Sequence, residues 1–158
     1  MVRWASPEQF HLTLKFLGSV RSGDVGALSE TARAVCASMP PLRLRAQGIV
    51  FFPNDFSPRV LWVEIKNPGE RLLGFQHRLE TAVQPFVEKE EPKKFTPHVT
   101  LARFEKLRLD EAEKFATLAR TNKTFGEWKA GEVLLMESKL QQTGALHAIL
   151  EKFGTKND

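Results

Sequence analysis

The sequence predicts an α+β protein of two similar lobes built on antiparallel sheets. Three observations lead there. Strand-like segments outnumber helical ones and follow one another as hairpins, an order that favours antiparallel pairing. Amphipathic helical stretches interrupt the strands without alternating with them one for one. One short pattern also occurs twice. His11-Leu12-Thr13-Leu14 is echoed by His98-Val99-Thr100-Leu101, more than half a chain length away, with a helix and further strands after each copy. Such an echo marks a duplicated architecture. A chain of 158 residues suffices for one domain or two small lobes sharing a core, so residues 1–158 read as a single two-lobed domain.

Each element follows from local pattern. Gln9 to Leu17 reads as a strand: Phe10, Leu12, Leu14 and Phe16 alternate with His11, Thr13 and Lys15, and Gly18 ends the run. Asp24 to Met39 carries Val25, Leu28, Ala32, Val35 and Met39 at the three- and four-residue steps of one helix face. Ser22 or Asp24 can cap that helix, and Pro40-Pro41 stop it. Leu42 to Phe52 predicts a strand bent near Gly48. Pro53 to Pro58 is turn-rich, and Arg59 to Ile65 is the second arm of a hairpin. Glu70 to Gln84 predicts a helix with Leu72, Leu73, Gln76, Leu79 and Val83 on one side, closed by Pro85. Glu88 to Lys94 is a charged, solvated loop. Phe95 to Phe104 is a strand and Asp110 to Arg120 a third helix. Phe125 to Lys129, Val133 to Lys139 and Ala145 to Phe153 are strands, punctuated by Gly131 and by Gln142-Thr143-Gly144. Gly154 to Asp158 predicts a frayed tail.

Composition narrows the function classes. The balance of 42% hydrophobic and 27% charged residues is that of a soluble globular protein, and no apolar run is long enough to cross a bilayer. The first residues, Met1-Val2-Arg3-Trp4, lack a secretory pattern, so a cytoplasmic location is expected; a monomer with no membrane partner is the accompanying expectation. A net charge of +4 suits a phosphate-bearing partner without demonstrating one. The one cysteine, Cys36, cannot form an internal disulfide or a cysteine-rich metal site. No histidine or carboxylate stands beside it to act as a base, so it reads as a small core filler on a helix. No glycine-rich phosphate loop is present, which leaves ATP and NAD binding without support, and no cofactor is expected.

The repeated motif carries the chemistry. In a strand, residues two apart point to the same side, so each copy presents an imidazole and a hydroxyl together. An imidazole takes or gives a proton near neutrality, and a hydroxyl donates to a phosphate oxygen without adding charge. Two such pairs flanking one phosphate could activate water at one histidine and protonate a departing sugar oxygen at the other, without a metal. Strand residues with no functional role are the plain alternative. With ten threonines and four histidines in the chain, the doubled pattern with its shared leucine weighs against it. Zinc ligation by His11 and His98 is the other chemical option, but neither motif has a cysteine or an evident third ligand nearby. His77 and His147 lack the threonine partner and read as a helix-surface and a late-strand residue.

The segment from Trp4 through His11-Leu12-Thr13-Leu14 to Gly18 resembles the first motif of the bacterial and archaeal RNA 2′,3′-cyclic phosphodiesterases, also called 2′-5′ RNA ligases, of the two-histidine phosphoesterase superfamily. Phe95 to Arg103 resembles the second motif. Phe52-Pro53 through Arg59-Val60-Leu61-Trp62 resembles the middle hairpin of the family, and Glu137-Ser138-Lys139-Leu140 with Gly144-Ala145 its closing strands. The resemblance implies a bilobal fold of two pseudo-symmetric antiparallel sheets with helices on the outside and a cleft between the lobes, and it implies hydrolysis of RNA 2′,3′-cyclic phosphate ends, or of cyclic nucleotides, to 2′-phosphates. It implies His11 as proton donor and His98 as proton acceptor, Thr13 and Thr100 as phosphate binders, and Arg103 as a nearby positive charge. Simple alternation, however, sets Arg103 on the face opposite His98. The family begins with a further apolar strand and helix, so this chain reads as N-terminally truncated relative to it. His147 stands where the family usually has tyrosine. A non-catalytic module for RNA ends and 2′-5′ ligation in the reverse direction remain open alternatives.

Overall fold

The computed structural model describes residues 2–54, 57–88, 94–105, 114–115, 117, 122–141 and 144–154. Among them lie seven strands and two α-helices. These are β1 (Val2–Trp4), α1 (Val25–Cys36), β2 (Leu42–Phe52), β3 (Val60–Lys66), α2 (Arg71–Val83), β4 (His98–Phe104), β5 (Thr124–Ala130), β6 (Glu132–Gln141) and β7 (Gly144–Gly154). Five strands form one sheet in the order β1-β4-β3-β2-β5, and β6 and β7 form a second. Both sheets are antiparallel, and the class is α+β. The chain divides into two compact units: Met1–Leu14, Arg43–Pro68 and Lys94–Trp128 make the first, and Lys15–Leu42, Gly69–Lys93 and Lys129–Asp158 the second.

The first unit is held by an aromatic-rich core. Phe51, Leu61, Ala102 and Phe104 are buried together, with Val2, Ile49, Leu101 and Phe115 packed against them. The Phe51 ring lies 6.0 Å from Phe104 and 5.7 Å from Phe115. Phe115 belongs to the predicted third helix, of which Lys114, Phe115 and Thr117 are helical and the rest lies outside the described residues. The bend foreseen at Gly48 is a break in the β2–β3 register between Ala46 and Ile49, and Gly48 adopts φ +78, a conformation open to glycine. The break reverses which side chains face inward: Leu42 and Leu44 before it are buried, and Phe51 after it.

In the second unit α1 packs against α2 and β7. Leu28, Ala32 and Met39 are buried on α1 or just after it, as the spacing predicts. On α2 Leu72, Gln76, Leu79 and Val83 are buried as expected, and Phe75 is buried where Leu73 was expected to be, Leu73 being exposed. Cys36 is fully buried, and burial pushes its thiol up to about 11. That fits a core filler. The turn at Gln142-Thr143, most of the loop from Glu88 to Lys94 and the tail after Gly154 lie outside the described residues. No described helix is long and apolar enough to cross a membrane.

Candidate active site

The second motif opens β4, which runs between β1 and β3. Strict alternation would turn His98 and Thr100 one way and Arg103 the other. One residue breaks the pattern. Glu64, Val63 and Trp62 of β3 stand opposite His98, Val99 and Thr100, but Leu61 and Val60 stand opposite Ala102 and Arg103. Leu101 is therefore the extra residue of a β-bulge, and it packs on the core cluster beside Ala102. Beyond the bulge the alternation is reversed. Ala102 and Phe104 are buried at 1% and 4% exposure, while Arg103 is exposed and turned to the side of His98 and Thr100. The placement of Arg103 expected from simple alternation is thus corrected by the bulge.

The first motif differs more from expectation. Gln9 to Leu17 is not a continuous strand. β1 pairs with the far end of β4, matching Val2 with Phe104 and Trp4 with Ala102. The chain then leaves the ladder through a 3-10 turn at Pro7–Gln9, and the Ser6 backbone N–H donates to Gln9 Oε1 at 3.0 Å. Proline at the start of that turn has its φ already set for it. The chain returns to β4 for a single antiparallel bridge, Leu12 to Val99. Alternating polarity signalled a strand, but the proline turn and the bend at Leu14 leave room for one bridge.

That bridge brings the two motifs together. Both fall in the first unit, on neighbouring antiparallel segments, rather than one in each unit. Its register sets His11 beside Thr100 and Thr13 beside His98, on the face away from Leu12 and Val99. In that register the four positions make a square, with the histidines on one diagonal and the threonines on the other. Diagonal neighbours across an antiparallel pair lie about 7–8 Å apart, within reach of long side chains.

The two imidazoles are held alike. His11 Nδ1 lies 2.7 Å from the Gln9 carbonyl, and His98 Nδ1 lies 2.7 Å from the Thr96 carbonyl. A carbonyl only accepts, so Nδ1 carries the proton in both rings, and the lone pair of the neutral ring is on Nε2. The same backbone bond, to the residue two earlier, gives both rings the same tautomer. Sequence reasoning could not see it, because the acceptors are main-chain atoms.

Side chains from β2 and β3 complete the face. The Trp62 ring stacks on His98, centroids 4.4 Å apart and planes 29° from parallel. Phe52 stacks on Trp62 at 5.1 Å. Glu64, opposite His98, accepts from Lys66 Nζ at 2.8 Å. Arg3 stands opposite Arg103 and pairs with Glu105 at 3.6 Å. Trp62, Phe52 and Glu64 were not among the predicted site residues. The two-residue spacing of Trp62 and Glu64 toward one face was visible in the sequence, but only the register shows that this face is the one bearing His98. His77 is exposed on α2, and His147 on β7 has its Nδ1 2.9 Å from Ser138 Oγ. Among the described residues, no three His, Cys, Asp or Glu side chains converge as a metal site.

The comparisons agree on a family. The model of the 2′-5′ RNA ligase superfamily matches residues 3–142. A curated relative from Thermus thermophilus, an RNA 2′,3′-cyclic phosphodiesterase, is 30% identical over 159 residues, covering 96% of this chain and 75% of its own. Another of the same name from Aquifex aeolicus is 26% identical, with 97% and 81% covered. A crystal structure of a Thermus thermophilus protein superposes with a TM-score of 0.80 at 27% identity, covering 97% of this chain and 81% of that one. Escherichia coli LigT complexed with 3′-AMP shares the fold, with a TM-score of 0.75 at 22% identity over 98% and 82% of the two chains.

Proposed function

The chain belongs to the 2′-5′ RNA ligase superfamily, and on that premise we propose that it hydrolyses RNA 2′,3′-cyclic phosphate ends to 2′-phosphates, with His98 as proton acceptor and His11 as proton donor. The observation that carries the reading is the antiparallel bridge from Leu12 to Val99, whose register sets His11 beside Thr100 and Thr13 beside His98. Several relatives, of whose length the match covers 75–83%, bear the name RNA 2′,3′-cyclic phosphodiesterase, which supports the substrate class.

The step balances with these groups alone. Neutral His98, its Nδ1–H on the Thr96 carbonyl, takes a proton from water at Nε2 as the water oxygen bonds to phosphorus. The bond from phosphorus to the 3′ oxygen breaks, and doubly protonated His11 gives its Nε2 proton to that oxygen. The 2′-phosphate stays on the ribose. Thr13 and Thr100 donate to the nonbridging oxygens, where charge builds, and Arg103 adds a positive charge on the same face. The two histidines end with their roles exchanged, and solvent resets them. No step calls for a metal ion.

The test is an RNA oligonucleotide ending in a 2′,3′-cyclic phosphate, incubated with the protein in excess EDTA and followed by phosphorus NMR. Appearance of a 2′-phosphomonoester is expected. A 3′-phosphate product, or loss of turnover with EDTA, contradicts the reading, and tight binding without product favours a non-catalytic module.

A further inference from the structure

We propose that Trp62 is a positioning residue for His98: its indole face fixes the plane of the imidazole so that Nε2 meets the phosphate in one orientation. This rests on the reading above, in which His98 exchanges a proton with the attacking water.

Two constraints are needed to fix a flat ring. The bond from His98 Nδ1 to the Thr96 carbonyl holds one edge, but it leaves the ring able to swing about the N–H···O axis. A flat surface against the ring removes that swing. Trp62 supplies it, with centroids 4.4 Å apart and planes 29° from parallel. The contact follows from the register, since Trp62 stands opposite Thr100 and so diagonal to His98. The indole is backed in turn by Phe52, from the strand on the other side of β3, at 5.1 Å and 24°.

Packing alone does not account for a tryptophan here. Its Nε1–H is buried with no hydrogen-bond partner among the described residues. An unpaired buried donor costs stability that phenylalanine would not. What the indole adds is a wide flat face toward the imidazole. The charged neighbours on this face, Glu64 with Lys66 on β3 and Arg103 on β4, carry charge but no such surface. Locking a reacting group by packing and by a second hydrogen bond is how precise sites are held.

The experiment measures kcat and KM on a cyclic-phosphate RNA oligonucleotide for wild type, Trp62→Met, Trp62→Phe, His98→Ala and the His98→Ala/Trp62→Met double variant. Methionine fills the space without a plane, and phenylalanine keeps one. Trp62→Met is expected to lower kcat about 10- to 100-fold with KM within about threefold, the scale of a misplaced catalytic group. Trp62→Phe, which keeps a plane but a narrower one, should recover part of the kcat that Trp62→Met loses, and the double variant should be no slower than His98→Ala. Wild-type NMR should show the His98 ring protons moved upfield by the indole, a readout that needs no variant to fold. The proposal is overturned by Trp62→Met with kcat within about twofold of wild type, by Trp62→Phe as slow as Trp62→Met, by equal slowing in the His98→Ala background, or by unshifted ring protons. Full activity in His98→Ala removes the underlying reading and the proposal with it, whereas an inactive His98→Ala beside an unaffected Trp62→Met sinks the proposal alone.

Discussion

Replacing Arg103 by methionine keeps the apolar stem and removes the charge, so it tests what the bulge at Leu101 achieves. Arg103 stands three residues past Thr100, a strand length of about 10 Å at most, which the bulge shortens and the arginine side chain largely spans. A guanidinium about 5 Å from a phosphate charge interacts by about 3 kcal/mol at an effective dielectric of 20. Arg103 is exposed, and screening reduces this to about 1–2 kcal/mol. The expected loss in kcat/KM is therefore about 5- to 30-fold. Steady-state rates on cyclic-phosphate RNA across a salt series measure it. The wild type should lose rate with salt more steeply than Arg103→Met, and Arg103→Lys should recover part of the loss. Stability should change little, because the side chain is not in the core. A variant within about twofold of wild type at low salt would refute the assignment of Arg103 to the phosphate face.

Thr100→Val keeps shape and removes the hydroxyl; loss of a hydrogen bond to a charged oxygen, about 1.5–3 kcal/mol, should lower kcat/KM about 10- to 150-fold, and single-turnover rates check it. Phe51→Ala opens the aromatic core beside Phe104 and Phe115 and should cost about 3–5 kcal/mol in urea unfolding; less than about 1 kcal/mol would contradict the packing described. Lys15, 2.8 Å from Glu80, and then Gln76 hold the Glu80 carboxyl below its ordinary range. A depressed carboxylate adds stability above its unfolded value and loses it as pH falls through the lower folded value. The Glu80→Gln variant should thus be less stable than wild type by up to about 1 kcal/mol at pH 7, with the gap closing in acid; a gap that stays constant between pH 7 and strong acid counts against the ion pair.

The helices and most strands were legible because burial writes a period into the chain, as in Leu28, Ala32 and Met39 on or just past α1. The histidines were legible because their type and spacing repeat. Where they meet was not, since pairing across a sheet leaves no local trace. Leu12 and Val99 are ordinary apolar residues until the bridge joins them. The two bulges differ instructively. Gly48 announces its own by being a glycine at positive φ, while Leu101 looks like any strand leucine, so the face of Arg103 was misread. The 3-10 turn at Pro7–Gln9 was hidden beneath alternating polarity, and Trp62 stood out only once the register set it diagonal to His98.

The pairing of the two histidines as opposite proton-transfer partners is tested most directly by the pH dependence of kcat/KM in wild type, His11→Ala and His98→Ala. The wild-type profile should be bell-shaped, falling in acid as the base becomes protonated and in alkali as the acid loses its proton. His98→Ala should lose the acidic limb and His11→Ala the alkaline limb, each with a rate at least about a hundredfold lower. A variant that keeps both limbs, or that keeps the wild-type rate, would contradict the account.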